Sequence, residues 1–477
     1  MKLNELFEAD VSSENPEITG ITADSRAVKP GFLFAALKGT AADGARFIPQ
    51  AEEAGAVAVL ALPGTTASVP VVESSEPRLK LAQLAAMFHA GQPATIAGIT
   101  GTNGKTSIAR FCQQIWTLLG LRAGSLGTLG AFSDSYEYTL RHTTPDPVET
   151  HQILSTMAKL GNTHLAMEVS SHGLEQFRAD GIRFSLAAFT NITRDHLDYH
   201  PTFEDYFKAK MRLFTELLPQ DGKVVVNIDG AESSRVVDLV RQSGKVVLTV
   251  GRAGDDLKLI ETSPLPDGQK ITVEAGDGRY DLTLPLIGYF QAENALVAAA
   301  LVMASGYAAG EVLPLLEHLK GAPGRMEHVV DREVGNGKAG IYVDYAHTPD
   351  AITTALKAIR PHALGKIIII IGAGGDRDKV KRPQMGEAAM VADEVIVTDD
   401  NPRSEDPAQI RREVLAGCPG AAEIADRQEA IRAGVDMLAA GDVLLIAGKG
   451  HESGQTVGKI TTPFNDAEVA RSVVGQS

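Results

Sequence analysis

Apolar residues along this chain fall in short runs separated by stretches with helical spacing, the signature of strands and crossover helices. Over the first part, runs at 31–37, 56–60 and 69–72 alternate with turn clusters and Ala-rich stretches, which predicts a small α/β unit ending near residue 88. The Gly and Pro of HAGQPA at 89–94 then mark a connection before an apolar strand at 94–100. Beyond it, runs at 164–169, 186–190 and 223–228 alternate with helical patterns at βαβ spacing. Between 256 and 286 the pattern changes to short strands broken by PDG and GDG, and an Ala-rich helix is expected over 291–304. GAPGR at 321–325 predicts a further boundary, followed by runs at 340–344, 366–372, 394–398 and 442–447. The expected fold class is α/β with three domains: a small N-terminal α/β domain (1–89), a central, mainly parallel-sheet domain (90–323) and a C-terminal Rossmann-like α/β domain (324–477).

Composition narrows the class without changing that picture. A chain of 477 residues suits about three domains of ~150 residues. With 45 Lys and Arg against 60 Asp and Glu, the net charge of −15 opposes a general nucleic-acid binder. Cys112 and Cys418 make no disulfide framework, which points to a reducing compartment. The start, MKLNELFEAD, lacks the apolar core of a secretory signal. The longest apolar runs, such as the five Ile at 367–371, are far short of the ~20 residues that cross a bilayer. A cytoplasmic, metabolite-handling protein is expected, with neither nucleic-acid partner nor membrane insertion.

The strand at 94–100 runs into Gly101-Thr102-Asn103-Gly104-Lys105-Thr106 and then an apolar helix over 108–119. Glycines let backbone N–H groups close on phosphate oxygens, Lys105 can reach terminal phosphates, and the Thr106 hydroxyl can ligate Mg²⁺. The spacing departs from the general P-loop, because Ile99 stands where a glycine is usual and glycines occupy 98 and 101. Glu168 ends the next candidate strand, a position that in open α/β sheets faces the ligand crevice, so it is a candidate Mg²⁺ ligand. The segment 190–200 is dense in oxygen and imidazole groups, and His196 and His200 each read either as a metal ligand or as a surface or capping residue. In the following helix Lys210 shares a stripe with Phe203, Tyr206, Phe207, Leu213 and Phe214, whereas Lys208 points away. Lys210 is either a buried, reactive amine or an aliphatic stem with a wet head.

GTNGKT at 101–106, EVSSH at 168–172, DHLDYH at 195–200, the AK of YFKAKMRLF, GRME at 324–327 and DYAHTPD at 344–350 occur in that order, and together they resemble the Mur ligase family. Asp24-Ser25-Arg26, GTAADGARFIPQ at 39–50 and Asp400-Asn401-Pro402-Arg403 are similar to the branch that adds diaminopimelate to a UDP-sugar dipeptide. The resemblance implies that ATP phosphorylates the γ-carboxylate of D-Glu in UDP-N-acetylmuramoyl-L-Ala-D-Glu, and that a diaminopimelate amine then displaces phosphate. It implies an N-terminal UDP-sugar domain, a central P-loop ATPase domain and a C-terminal amino-acid domain. It assigns Gly101 to Ser107 (Gly101, Thr102, Asn103, Gly104, Lys105, Thr106, Ser107), Asn294, Arg325 and Asp344 to ATP. Catalytic roles fall to Lys105, Glu168, His196 and Lys210, and metal positions to Thr106, Glu168, His196 and a Lys210 carbamylated by CO₂. Such a carbamate would explain a lysine on an apolar face. Ser25, Thr40, Ala41, Ala42, Thr143, Thr144, Ser170, Gln176 and Arg178 match the UDP-sugar-peptide positions, although His142 stands where relatives often carry Asn. Arg377, Asp400, Asn401, Pro402, Arg403, Gly448 and Glu452 match those that hold diaminopimelate, Arg suiting the distal carboxylate and an acid the ammonium.

Rival readings are an L-lysine-adding homologue, which would not need Arg403, and a folylpolyglutamate synthetase-like ligase, to which the first 88 residues are ill suited. A small-molecule kinase would need no amine site, and a silent nucleotide-binding scaffold fits poorly with Lys105, Thr106, Glu168, His196 and Lys210 all present. The expected form is a monomer.

Overall fold

The computed structural model describes residues 1–7, 12–39, 42–193, 199–276 and 278–475. Two compact units emerge: Met1–Asp255 with Val297–Ala308, and Asp256–Leu296 with Ala309–Ser477. The chain is α/β throughout, with mainly parallel sheets in its N-terminal, middle and C-terminal regions.

The first unit begins with a parallel sheet in the order Gly20–Thr22, Phe32–Ala35, Ala58–Ala61, Val71–Glu73. Alternation decides its two faces: Leu33 and Ala35 pack with Leu3, Leu6 and Leu81, while Phe34 and Ala36 pack with Ile48 and Ala51. The helix Pro77–Phe88 closes this region. The middle sheet of the same unit runs Val246–Gly251, Lys223–Asn227, Leu186–Phe189, Thr95–Thr100, His164–Glu168, Ala123–Gly127, all parallel. Gly130–Ser133 and Tyr136–Tyr138 extend it as an antiparallel edge. Strand Thr95–Thr100 lies between Leu186–Phe189 and His164–Glu168, with Thr100 opposite Phe189 and Ile99 opposite Glu168. Three neighbouring strands therefore deliver Gly101, Thr190 and Glu168 to one edge of the sheet.

The second unit starts with an antiparallel meander, Leu257–Leu265, Gly268–Ala275 and Gly278–Leu284, in the span expected to be a β appendage. Its larger sheet has the order Glu327–Val334, Gly337–Asp344, Val443–Ala447, Ile367–Ile371, Glu394–Val397, Ala422–Glu423, parallel except for the first pair. The five-isoleucine strand is buried on both faces. Ile367, Ile369 and Ile371 enter one core and Ile368 and Ile370 the other, which is why the run is continuous rather than alternating. A hairpin, Gly454–Val457 with Ile460–Pro463, follows. Among the described residues no helix is long and apolar enough to cross a membrane.

Candidate functional site

The glycine turn after Thr95–Thr100 is a conformational necessity. Gly101 has φ +152°, and a Cβ there would come within 1.9 Å of Thr190 Oγ1. Gly104, at φ +88°, caps the helix Lys105–Leu118, whose first-turn N–H groups and positive dipole end face the loop. The neighbouring strand end pins the loop from outside: Thr102 N donates to Asn191 O (2.8 Å) and Asn103 N to Asn191 Oδ1 (3.0 Å). Thr190 Oγ1 donates to Asn103 O (2.6 Å), and Thr102 Oγ1 pairs with Tyr206 OH (3.1 Å). Lys105 Nζ donates to Gly101 O and Thr102 O, both at 2.8 Å. Thr106 and Ser107 are buried at the head of the helix.

Thr106 and Glu168 line one small cavity, together with Arg110, Ser125 and Gly127. Glu168 is buried and accepts from Thr128 N (2.8 Å) and Thr128 Oγ1 (3.1 Å). The Thr106 hydroxyl and the Glu168 carboxylate are oxygen ligands of the kind a hard divalent cation takes, in a recess that Ala109, Leu126 and Leu129 also line. Arg110, which sequence reasoning missed, stands one helical turn after Thr106 and donates to Gln113 Oε1 (2.6 Å) and Ser125 Oγ (3.2 Å). Burial lowers its pKa from the usual guanidinium value. Its spacing from Thr106 was the available signal.

Lys210 lies on the buried face of Phe203–Arg212, as its stripe predicts, and at 1% exposure its head is not wet. Its Nζ donates to Gly101 O (2.9 Å) and sits 4.5 Å from the centre of the Tyr206 ring, so two lysines converge on one carbonyl of the phosphate loop. The helix widens to π geometry at Leu213–Leu217, directly after this turn. His200 takes the structural role: it is buried, bonded to Ser171 Oγ (3.0 Å) and Glu175 Oε2 (3.1 Å). His196, Thr40 and Ala41 lie outside the described residues, and among the described residues no group of three His, Cys, Asp or Glu is placed to hold a metal.

From Glu168 a continuous network runs through the expected peptide-binding residues. Thr128 Oγ1 meets Thr143 Oγ1 at 3.0 Å, Thr144 Oγ1 donates to Glu168 O at 3.2 Å, and Ser170 N donates to Thr144 Oγ1 at 3.0 Å. Arg178 Nη1 holds Thr144 O (3.0 Å) and Nη2 holds Gln176 Oε1 (2.7 Å), while Gln176 Nε2 donates to Tyr199 OH (2.9 Å). Ser25 stands apart, donating to Gln50 Oε1 at 3.1 Å, and Ala42 is exposed. Arg26 holds the Asp24 carboxyl below the usual carboxylate range by hydrogen bonding, and the charge of Arg141, two residues before Thr143, acts in the same direction.

In the second unit, Asn294 Nδ2 donates to Gln291 Oε1 (3.3 Å), and Gln291 Nε2 to Arg325 O (3.1 Å). Asp344 accepts from Met326 N (2.7 Å) and Ala346 N (2.9 Å); desolvation pushes its carboxyl pKa up, while the Arg325 charge works against that. Arg325 lies over the Tyr345 ring at 4.6 Å. The loops expected to receive the amino acid converge as well: Asp400 and Asn401 are buried, and a Cβ on Gly448 would meet Asp400 Oδ2 at 2.8 Å. Asn401 Nδ2 donates to Glu452 Oε2 (2.8 Å), and Arg403 Nη1 to Gly375 O (2.7 Å). Arg377 is exposed, and Gly374 lies between its stem and Arg403. Pro402 is buried with its carbonyl against Gly375, where a Cβ would come within 1.8 Å.

Sequence reasoning missed the buried charges beneath these loops. Arg427 and Asp466, both fully buried, pair at 2.7 Å, and Arg427 Nη2 donates to Ala447 O (3.1 Å) just before Gly448. Arg382, also buried, binds Glu405 (2.9 Å) and Glu413 (2.7 Å). It missed strain too: Phe177, Met326, Asp376 and Arg403 have φ of 58°, 51°, 55° and 50°. Each is, or adjoins, a candidate binding residue, the usual location for stored backbone strain.

A glycine loop opening a helix at the carboxyl edge of a parallel sheet, with a buried carboxylate on the adjacent strand end, defines a nucleotide-phosphate-binding α/β protein. Models of the Mur ligase family catalytic domain, the Mur ligase middle domain and the Mur ligase glutamate ligase domain match residues 17–89, 99–302 and 324–450. The UDP-N-acetylmuramoyl-L-alanyl-D-glutamate--2,6-diaminopimelate ligase of Brucella melitensis is 50% identical over 465 residues, covering 96% of this chain and 95% of that protein. The ligase of the same name from Bradyrhizobium diazoefficiens is 49% identical over 484 residues, covering 99% of each. A solved structure of such a ligase matches with a TM-score of 0.73 at 31% identity, over 100% of this chain and 99% of that one. This chain belongs to the Mur ligase family.

Proposed function

We propose that this protein joins meso-2,6-diaminopimelate to the D-glutamyl γ-carboxyl of UDP-N-acetylmuramoyl-L-Ala-D-Glu, using ATP, in peptidoglycan precursor synthesis in the cytoplasm. A carboxylate oxygen attacks the γ-phosphorus and ADP leaves. The diaminopimelate amine then attacks the acyl carbon, and phosphate departs with that oxygen as the nitrogen sheds its proton. A carboxylate needs this activation because its oxygen is otherwise a poor leaving group.

In this reading the amides of Gly101 to Ser107 and the Lys105 ammonium hold the phosphates and offset the charge of phosphoryl transfer. Thr106 and Glu168 would hold Mg²⁺, which supplies further charge neutralisation when bound. Lys210, as a carbamate formed by its neutral amine and CO₂ with loss of a proton, and His196 would serve a second metal position. Asn294, Arg325 and Asp344 serve the nucleotide. Ser25, Thr40 to Ala42, Thr143, Thr144, Ser170, Gln176 and Arg178 orient the UDP-sugar peptide. Arg377, Asp400 to Arg403, Gly448 and Glu452 receive the amine substrate. The division at 1–89, 90–323 and 324–477 and a monomeric state belong to the same proposal.

The observation that carries it is the unbroken hydrogen-bond network from Glu168 to Thr143, Thr144, Ser170 and Arg178, since it links the phosphate edge to a bed of hydroxyl and guanidinium groups suited to a peptide carboxylate. The test is phosphate release from ATP and Mg²⁺ with the UDP-dipeptide and meso-diaminopimelate, L-lysine or no amine. Release dependent on diaminopimelate, with the amide seen by mass, is expected. Lysine preference would overturn the role of Arg403, and release without amine would point to a kinase or hydrolase.

A further inference from the structure

We infer that Lys449 is a positioning residue that selects for an ammonium at the distal end of the amine substrate, an inference that rests on the ligase reading. Lys449 follows Gly448 at the end of strand Val443–Ala447, and its side chain is 0% exposed. An ammonium withdrawn from water is tolerated when its protons and charge are met by fixed partners. Here Nζ donates to Asn401 Oδ1 at 3.1 Å and lies 3.5 Å from Glu452 Oε2.

Those partners are two of the residues assigned to the amine substrate, and the lysine fixes both. Asn401 Oδ1 also accepts from Thr456 N at 2.9 Å, so two donors demand that the oxygen of this amide face them. The NH₂ group is thereby turned to Glu452, to which it donates at 2.8 Å. All these contacts fall on Oε2; among the described residues Oε1 of Glu452 accepts no hydrogen bond and is left for a ligand. The other buried cation nearby, Arg427, is already paired with Asp466, so Glu452 is the counter-ion of Lys449. Lys449 is too deeply buried to touch the substrate itself. It acts by holding the carboxylate, and it has no bond to Arg377 or Arg403, the residues suited to the distal carboxylate.

2-Aminopimelate separates these two functions, because it keeps the attacking amine and both carboxylates and lacks the distal amine. Steady-state kinetics of the wild-type protein and Lys449→Met, with each amine at saturating ATP and UDP-dipeptide, test the inference. In the variant the KM for meso-diaminopimelate is expected to rise about tenfold or more, with a smaller change in kcat. KM for ATP and kcat/KM for 2-aminopimelate are expected to stay within about twofold, so that the preference for diaminopimelate collapses. Equal losses with both amines would mark a merely structural role and overturn the inference, as would an undiminished preference. If Lys449→Met does not fold, Lys449→Gln is read in the same way. A wild-type protein that shows no diaminopimelate-dependent release would overturn the ligase reading and this inference together; an active wild type with an unchanged preference in the variant would overturn this inference alone.

Discussion

The phosphate edge of the middle sheet and the loops of the C-terminal sheet proposed to receive the amino acid are built on different principles. At the phosphate edge, the backbone is what is held: Gly101 and Gly104 set the turn, and Thr190 Oγ1, Asn191 Oδ1 and Asn191 O clamp the loop's main-chain groups. In the amino-acid loops, buried ions do the holding: Arg427 with Asp466, Arg382 with Glu405 and Glu413, and Lys449 with Glu452. A phosphate is a common ligand that a generic turn can cradle, whereas an amino acid with charges at two ends needs side chains fixed in register. The first site depends on a turn, and the second on pairings between residues far apart in the chain.

That contrast fixes where each site should break. The largest effect is expected from Arg427→Met, which strands Asp466 in the core and should destabilise the second unit by about 3–5 kcal/mol. Arg427→Met with Asp466→Leu should recover most of that loss, and urea unfolding of the single and double variants checks both. Next, Lys105→Ala should lower kcat on the order of 10²–10³-fold with a smaller loss of stability than Arg427→Met, because the loop keeps its bonds to Thr190 and Asn191 when the two from Lys105 Nζ are removed. A fall in melting temperature matching that of Arg427→Met would erase the distinction. Arg403→Ala should reduce kcat/KM for diaminopimelate by about 10–100-fold while leaving KM for ATP unchanged. Equal loss on both substrates in steady-state kinetics would contradict a local role.

The smallest expected effect is the pH dependence contributed by one carboxylate of the C-terminal loops. Hydrogen bonding from Arg382, then Lys379, holds Glu405 down to about 2. The folded carboxylate thus stays ionised while an unfolded one, with a pKa of about 4.3, has taken up its proton. This stabilisation is complete above the unfolded value and fades as pH falls toward 2. Unfolding midpoints measured between pH 5 and 2.5 should decline less steeply in Glu405→Gln than in the wild type.

The same contrast explains what the sequence could convey. The strand, glycine turn and helix at 95–118 are local and legible from spacing, as is the apolar stripe that carries Lys210, but spacing left open whether its head is buried or wet, which its 1% exposure decides. The five isoleucines marked a strand, and its burial on both faces emerged only with the sheet. The partnership of Arg427 with Asp466 spans 39 residues, and that of Lys449 with Asn401 spans 48, so no periodicity reveals them. Nor could spacing show that Asp376 and Arg403 adopt left-handed backbone, each next to the close passage of Pro402 and Gly375. The peptide-side candidates were carried by resemblance, and their linkage through Thr128 became visible only when strand ends were brought side by side.

The ligase mechanism is tested most directly with UDP-N-acetylmuramoyl-L-Ala-D-Glu in which both oxygens of the D-glutamyl γ-carboxylate are ¹⁸O. Turnover with ATP and meso-diaminopimelate should place one ¹⁸O in each phosphate released, in step with amide formation seen by mass. Phosphate free of label, or label recovered in AMP, would contradict attack of that carboxylate on the γ-phosphorus.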